Sequence, residues 1–461
     1  MLTQKSVAGH RTNGKQNLLH ASDRAAHDWY RFVLSYPPHL VREYLDRFGI
    51  GARQQVLDPF CGTGTTLVEC KKLGIPSVGL EANPMASFAS RVKVDWSPDP
   101  DSLLAHAQEV AEAALEELRS QGIDDEFFFS SPQKPTCHLL SLPPEQEKLL
   151  LKGSISPLPL HKTLVLLKHL DLLRDERFDA HERVALAKAL VDTISNLHFG
   201  PEVGVGPAKK DAPVVGSWLE RVSGIAADLR ELASVESAGP TSFVVRPSGR
   251  PLEPGIRAEA RTTNVYQADA READRLLDAC SMDAVITSPP YPNEKDYTRT
   301  TRLESVLLGL IRDKAGLRAM KQGLVRSNTR TVFVKDDDDR WVANNPEVQR
   351  IAAAIEARRI ELGKTSGFER LYPRATKLYF GGMARHLAGL RAVLRPGAHL
   401  AYVVGDQASY LRVMIRTGQI LAGIAESLGY EVESIDLFRT RLATATREQI
   451  REEVVVLRWR P

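Results

Sequence analysis

Two short stretches of this chain carry residue types that could do chemistry. The first is Asp58-Pro59-Phe60-Cys61-Gly62-Thr63-Gly64-Thr65-Thr66, which ends an apolar run from Gln55 to Asp58 and opens a helical stretch from Thr65 to Leu73. Glycines just after a strand let the backbone pass close to a ligand, and the helix that follows offers free N–H groups at its start. Nineteen residues beyond Gly62 stands Glu81, closing a second apolar run from Ser77 to Leu80. A carboxylate in that place can accept both hydrogens of a ribose diol. The GxGxxG fingerprint of pyrophosphate cofactors is absent, so the pattern suits a nucleoside with a charged tail better than a dinucleotide. The plainer alternative is an ordinary strand–helix turn with a surface glutamate.

The second stretch is Thr287-Ser288-Pro289-Pro290-Tyr291, directly after the apolar run Asp283 to Ile286. These residues suit chemistry on an exocyclic base amine, which is a poor nucleophile because its lone pair is conjugated into the ring. A site that alkylates such an amine must hold its N–H hydrogens with acceptors, so that the lone pair faces the donor. Ser288 can offer its hydroxyl oxygen, and the Pro289 carbonyl a second acceptor in a segment made rigid by two prolines. Tyr291 supplies an aromatic face on which an extruded base can stack. A proline-rich loop at a strand end is the plainer alternative here.

With both stretches in one chain, DPFCGTGTT followed by GLEANP and later by TSPPY resembles the DNA amino-methyltransferase family, which modifies N6 of adenine or N4 of cytosine. The resemblance implies S-adenosylmethionine as cofactor, with Asp58, Phe60, Gly62, Gly64 and Glu81 lining its site. Asp269, in YQADA, matches the family's acidic position after the third strand and would contact the adenine moiety. Tyr36-Pro37-Pro38-His39 resembles the family's N-terminal cofactor segment only loosely. Ser288, Pro289, Pro290 and Tyr291 would form the catalytic tetrapeptide, acting by direct methyl transfer with neither a metal nor a covalent intermediate.

Serine as the first catalytic residue points to cytosine N4, with adenine N6 as the alternative. The extension PNEKDYTRTTRLE also looks like the N4-type enzymes, and within it Asn293, Asp296 and Arg299 could touch base or phosphate or be purely structural. Two rival readings remain. One is a tRNA guanine-N2 methyltransferase, which such motifs also resemble, although only about 55 residues precede the first motif and serine replaces the usual Asp or Asn. The other is a DNA-binding regulator that has lost its chemistry. The resemblance implies double-stranded DNA as partner and a restriction-modification setting, with a cognate restriction endonuclease as a candidate partner.

The elements that must position these residues follow from periodicity. Strand, turn, helix and strand within about 30 residues (Gln55 to Glu81) is the βαβ signal of a parallel sheet. Sheet pattern resumes at Asn264 to Tyr266 and at Ala284 to Ile286, then at Leu400 to Val404 and Val454 to Leu457. A helix is expected to begin after Pro37-Pro38 and another to run from Leu378 to Leu394. Between them lie helical periodicity over 101–121 and 160–197, a Gly/Pro-rich loop over 199–217 and a second Pro/Gly-rich stretch over 238–262. The expected fold is therefore a Rossmann-like methyltransferase sheet with helices on both faces, interrupted by two large insertions. Residues 1–100 are expected to carry the cofactor motif and 101–262 to form a helical insertion. Residues 263–298 would return to the sheet with the catalytic motif, 299–377 would form a basic insertion, and 378–461 would complete the methyltransferase domain.

Composition sets outer bounds. The 461 residues are 43% hydrophobic and 26% charged, as in a globular chain with a substantial core. No apolar run is long enough for a membrane span and no secretory h-region opens the chain. Four cysteines without CxxC spacing argue against structural zinc and against a disulfide scaffold, and a reduced cytoplasmic compartment is expected. No Pro-Cys pair of the carbon-5 methylating kind occurs. The net charge is only +3, but it is unevenly spread: 16 acidic against 10 basic side chains over 101–200, and 20 basic against 10 acidic over 299–395. The basic region could grip a phosphate backbone, with Arg326, Arg330 and Lys335 as expected phosphate ligands and Arg299 as a further candidate DNA contact. Lys209 and Lys210 in the Gly/Pro-rich loop are expected at a groove or base.

Overall fold

The computed structural model describes residues 19–30, 35–125, 137–199, 203–238, 262–293, 295–408, 410–442 and 449–461. The polar start of the chain to residue 18 and residues 239–261 of the second Pro/Gly-rich stretch lie outside them. Helix α1 (Pro38–Arg47) leads into β1 (Val56–Asp58), α2 (Thr65–Lys72), β2 (Ser77–Leu80) and α3 (Pro84–Lys93). The first insertion follows as α4 (Pro100–Ser120), α5 (Pro157–Leu172), α6 (Asp179–Ala189), the strands β3 (Leu197–Phe199) and β4 (Val203–Val205), and α7 (Val215–Ala238). Strands β5 (Thr263–Tyr266) and β6 (Met282–Thr287) return to the sheet. Helices α8 (Lys314–Gln322) and α9 (Pro346–Glu361) then belong to the second insertion. The chain closes with α10 (Gly367–Val393), β7 (Leu394–Gly405), α11 (Thr417–Ser427), β8 (Tyr430–Leu442) and β9 (Gln449–Trp459).

The main sheet runs β5-β2-β1-β6-β7-β9-β8. Its first five strands are parallel, and β9 is antiparallel to both β7 and β8. Because side chains alternate across a strand, neighbouring residues feed different cores. Leu57, Val285, Leu400, Tyr402 and Val455 pack with helices α9, α10 and α11. Val56, Ala284, Ile286, Ala401 and Val456 pack with Leu40, Val41, Tyr44 and Leu45 of α1. This is a Rossmann-like α/β fold with helices on both faces.

Several helices start on an Asn-Pro or Asp-Pro pair, which supplies a side-chain cap and a residue preset to helical φ. Asn83 accepts from the N–H groups of Met85 and Ala86, Asp99 from Ser102, and Asn345 from Val348. The expected 160–197 helix is broken between Leu172 and Asp179 and ends in a π-type turn, Leu190–Ile194. The expected 199–217 loop instead holds the last residue of β3, all of its antiparallel partner β4 and the start of α7.

Two C-terminal elements differ more from the sequence pattern. Helix α10 begins eleven residues before Leu378 and carries Pro373 within it. Its start is fixed by Ser366, whose hydroxyl accepts from the Glu369 N–H and donates to the Glu369 carboxylate; that reciprocal cap outweighs the one hydrogen bond that proline removes. Strand β8 was not expected at all. Register shifts at Val432/Ser434 and Leu437/Arg439 interrupt its alternation, so no clean period of two remains in YEVESIDLFRTRL.

Candidate functional site

The strand order reverses between β1 and β6, so the loops leaving their carboxyl ends diverge and leave a crevice, the usual ligand position in open α/β sheets. A cleft of about 340 Å³ opens there. Phe60 to Thr63, Glu81 to Asn83 and Ala268 to Ala270 line one side of it, and Ser288 to Tyr291 another. The two stretches that drew attention in the sequence, separated by about 220 residues, thus face one space.

The first loop is held from beneath by Asp58. This side chain is fully buried and does not line the cleft. It accepts from the Thr287 hydroxyl (2.6 Å), the Tyr36 hydroxyl (3.0 Å) and the Phe60 N–H (3.2 Å). Burial pushes its carboxyl up to about 6, against the pull of those donors. The expected cofactor-lining role for Asp58 is therefore corrected: it ties the first loop to the strand that carries Ser288, because its oxygens are spent on that task. Gly64 is likewise conformational. Its φ is +83°, and a Cβ there would stand 2.5 Å from Ser90 Oγ and 3.4 Å from the Ser90 Cα. Gly62 has φ +52° and lines the cleft, with nothing near the place a Cβ would occupy.

Glu81 stands where its spacing placed it. Its oxygens accept from the backbone N–H of Gly62 (2.9 Å) and of Asn83 (2.7 Å), so the carboxylate braces the glycine turn. Burial nevertheless pushes it up from 4.5 to about 7. Phe60 lines the cleft with its ring edge-on to His386 at 4.9 Å. Asp269 also lines it, but its carboxylate is gripped by the Arg271 guanidinium at 2.5 to 3.0 Å. Arg271 reaches on to Asp338 of the second insertion, which Arg385 also contacts at 3.2 Å.

On the other side of the cleft, the Ser288 hydroxyl donates to the Val403 carbonyl at 3.1 Å. That bond uses the only hydroxyl hydrogen and leaves oxygen lone-pair density for an incoming N–H. Tyr291 lies against β7 where Gly405 leaves room, since a Cβ there would stand 2.9 Å from Tyr291 Cε2. Burial, with Glu452 nearby, raises its phenol well above the usual value, so it stays neutral. The terminal strands bring Phe438, Arg439 and Glu452 to the same space, with Arg439 and Glu452 forked at 2.6 and 3.0 Å. Gln407, 5% exposed, lines the cleft, and its Nε2 has no partner among the described residues. None of these last four was foreseen. Phe438, Arg439 and Glu452 come from the unrecognised β8 and its partner strand, and Gln407 follows a strand end with no motif to mark it.

The residues expected at DNA are scattered. Arg299 and Arg330 line the cleft, and the Arg330 and Lys335 side chains are exposed. Arg326 is a correction. It is 4% exposed, with its guanidinium spent on Asp336 (2.8 and 3.0 Å) and on the carbonyls of Lys321, Gln322 and Leu324. A phosphate would have to displace all of these. Lys209 is exposed but turns its ammonium onto the Thr193 carbonyl, and Lys210 is exposed. Neither lysine lines the cleft; the first insertion reaches it through Phe199 and Val203 instead. Among the described residues no cluster of His, Cys, Asp and Glu could hold a metal ion, and no helix is long and apolar enough to cross a membrane.

A family model described as DNA methylase matches residues 11–87, the segment that ends just beyond Glu81. By that match and by the relatives that follow, the chain is similar to the DNA amino-methyltransferases. It is 23% identical to Type II methyltransferase M.BsoBI of Geobacillus stearothermophilus, over 95% of this chain and 84% of that protein. Type II methyltransferase M.AvaI of Anabaena variabilis is also 23% identical, over 94% of this chain and 86% of that protein. A stretch of 69 residues is 36% identical to Type II methyltransferase M.MjaII of Methanocaldococcus jannaschii, covering 15% of this chain and 13% of that protein. The first two similarities span both insertions.

Proposed function

We propose that the chain methylates cytosine N4 in double-stranded DNA, taking the methyl group from S-adenosylmethionine, within a restriction-modification setting. The observation that carries this reading is the Ser288 hydroxyl, held by the Val403 carbonyl beside Tyr291 and facing the same cleft as the Gly62–Glu81 turn. Serine in first place of the tetrapeptide, and the resemblance of the PNEKDYTRTTRLE extension, support cytosine over adenine. The names of the relatives support the restriction setting, in which a cognate endonuclease would cut the unmethylated site.

The donor site tests the residues for fit. The nucleoside ribose would meet Glu81, the adenine would lie by Phe60 and near Asp269, and the charged tail would meet the glycine turn at the start of α2. Thr63 Oγ1, buried in that turn without a partner among the described residues, is free to meet a polar group there. When bound, the cofactor supplies an electrophilic methyl on a sulfonium. The protein's own task is to extrude the base, stack it on Tyr291 and hold the amine through Ser288 Oγ and the Pro289 carbonyl. With the N–H hydrogens so engaged, the nitrogen lone pair would face the methyl, whose bond to sulfur would break as its bond to nitrogen forms, and the amine's surplus proton would pass to solvent water.

Incubation of the protein with methyl-labelled cofactor and unmodified duplex DNA, followed by nucleoside analysis, should yield N4-methylcytosine. Label in adenine would replace the cytosine assignment, label in tRNA alone would favour the guanine-N2 reading, and no transfer at all would leave the regulator.

The elevated Glu81 carboxyl gives a pH signature. A folded value near 7 against 4.5 unfolded means that the unliganded protein holds an extra proton between those values. The associated stability is present at acid pH and lost as pH rises through about 7. A ribose diol needs the ionised form as acceptor, so cofactor must expel that proton. Calorimetric titration should find cofactor affinity falling as pH drops through 7, approaching roughly tenfold per pH unit. Glu81→Gln should bind weakly with a flat profile. A wild-type affinity that does not change between about pH 6 and 8 would remove Glu81 from this role.

A further inference from the structure

The loop that follows Arg330 presents one apolar side chain to solvent in a manner that folding alone does not require. Val334 is 90% exposed, the most exposed large hydrophobic residue among those described. In a loose loop such exposure would mean little, but the backbone around Val334 is clamped from three directions. The Arg374 guanidinium donates to the carbonyls of Phe333 (3.3 Å), Val334 (3.1 Å) and Asp336 (3.0 Å). The Asp336 carboxylate accepts from the Phe333 N–H at 2.6 Å and from the buried Arg326 fork. The Phe333 ring lies beneath the guanidiniums of both Arg318 and Arg326, at 5.3 Å from each. Just beyond, Asp338 is seated against Gly381 and Gly382 of α10, where a Cβ at Gly381 would stand 2.0 Å from the Asp338 carbonyl oxygen.

Arg326 and Arg374 thus spend their guanidiniums on a short turn whose tip is Val334-Lys335, and the exposed Arg318 covers the Phe333 ring. The side chains left outward beside that tip, Arg330 and Lys335, are cationic and exposed. Arg330 and Thr331 line the cleft, and Val334 is three Cα–Cα steps beyond Thr331, so the tip lies within about 11 Å of the cleft wall. A rigid apolar point flanked by positive charge beside a base-sized opening matches one occupant, the base stack of a duplex whose phosphates meet Arg330 and Lys335.

We propose that Val334 is a wedge that enters the duplex next to the target base and occupies space in the stack while that base is in the cleft. The proposal rests on the reading of the cleft as a site for an extruded base. β-Branching suits the role, because one stiff rotamer leaves little freedom to be lost on insertion.

The test uses Val334→Gly and Val334→Ser in the full chain with two synthetic duplexes built on a sequence that the wild-type chain is first found to methylate. One has the target base paired, and the other has it opposite an abasic site, where extrusion needs no help. A fluorescent base analogue at the target position reports extrusion, and labelled cofactor reports methyl transfer. On paired DNA both variants should lose extrusion signal and transfer methyl about tenfold more slowly, while on the abasic duplex they should match wild type. The thermal midpoint should not move, because the side chain touches almost nothing. Wild-type rates for both variants on paired DNA would overturn the wedge. An equal defect on both duplexes would overturn it as well, assigning the tip to general DNA contact. Wild-type protein inactive on every duplex would instead defeat the underlying reading of the cleft.

Discussion

Replacing Ser288 with alanine is expected to slow methyl transfer about a hundredfold, the scale of losing one preorganised hydrogen-bond partner at a reacting centre. Cofactor affinity should change by no more than about twofold, since Glu81 and the glycine turn lie on the other strand ends. The Ser288 hydrogen goes to the Val403 carbonyl, which on the proposed reading leaves the oxygen to accept from the base amine. Removing the oxygen frees one N–H of the amine to rotate, and the lone pair returns to conjugation with the ring. Single-turnover rates and calorimetry separate the two readouts. A Ser288→Ala protein that loses cofactor binding and turnover in equal measure would place Ser288 in the donor site and remove it from the base site.

Replacing Arg271 with methionine should destabilise the fold by about 3 kcal/mol, visible as a lower urea midpoint with an unchanged slope. Methionine keeps most of the volume but strips the charge from between Asp269 and Asp338, both largely or wholly buried. Asp338 would keep only Arg385, at 3.2 Å, and Asp269 would keep its bonds as the cap of the following turn. Arg271→Met combined with Asp338→Asn should cost clearly less than the sum of the single changes, because the second removes the charge that the first leaves stranded. Additive losses would mean that the arginine contributes by packing alone. The double variant also reports on the tip at Val334, since Asp338 anchors its foot.

The features of the site legible in the sequence are those where chemistry and backbone make one demand. Gly62 and Gly64 need positive φ, Glu81 closes a strand nineteen residues on, and the prolines after Ser288 fix a strand end; each leaves a local mark. The illegible features depend on distant partners. Asp58 looked like a ligand contact because it opens the motif, but Thr287 and Tyr36 hold it in the interior. Arg326 looked like a phosphate ligand because it sits in a basic run, and only the fold brings Asp336 under it. Strand β8 escaped because two register shifts break its alternation, and with it went Phe438 and Arg439. The charge excess over 299–395 was visible, but charge counting cannot tell an arginine that faces water from one that stiffens a turn.

The first insertion does not have an interior of its own. Leu67 and Val68 of α2, with Met85, Ala89 and Val92 of α3, share one continuous cluster with Leu103, Val110, Leu166, Val184, Leu186 and Trp218 of the inserted helices. Cutting between the sheet and the insertion would open that cluster to water from both sides. The two should therefore melt as one cooperative unit, with coincident transitions by every probe. For variation over time this means that the first insertion cannot be exchanged as a cassette. Change must arise in the hairpin and loop tips, while the helices beneath stay matched to the sheet.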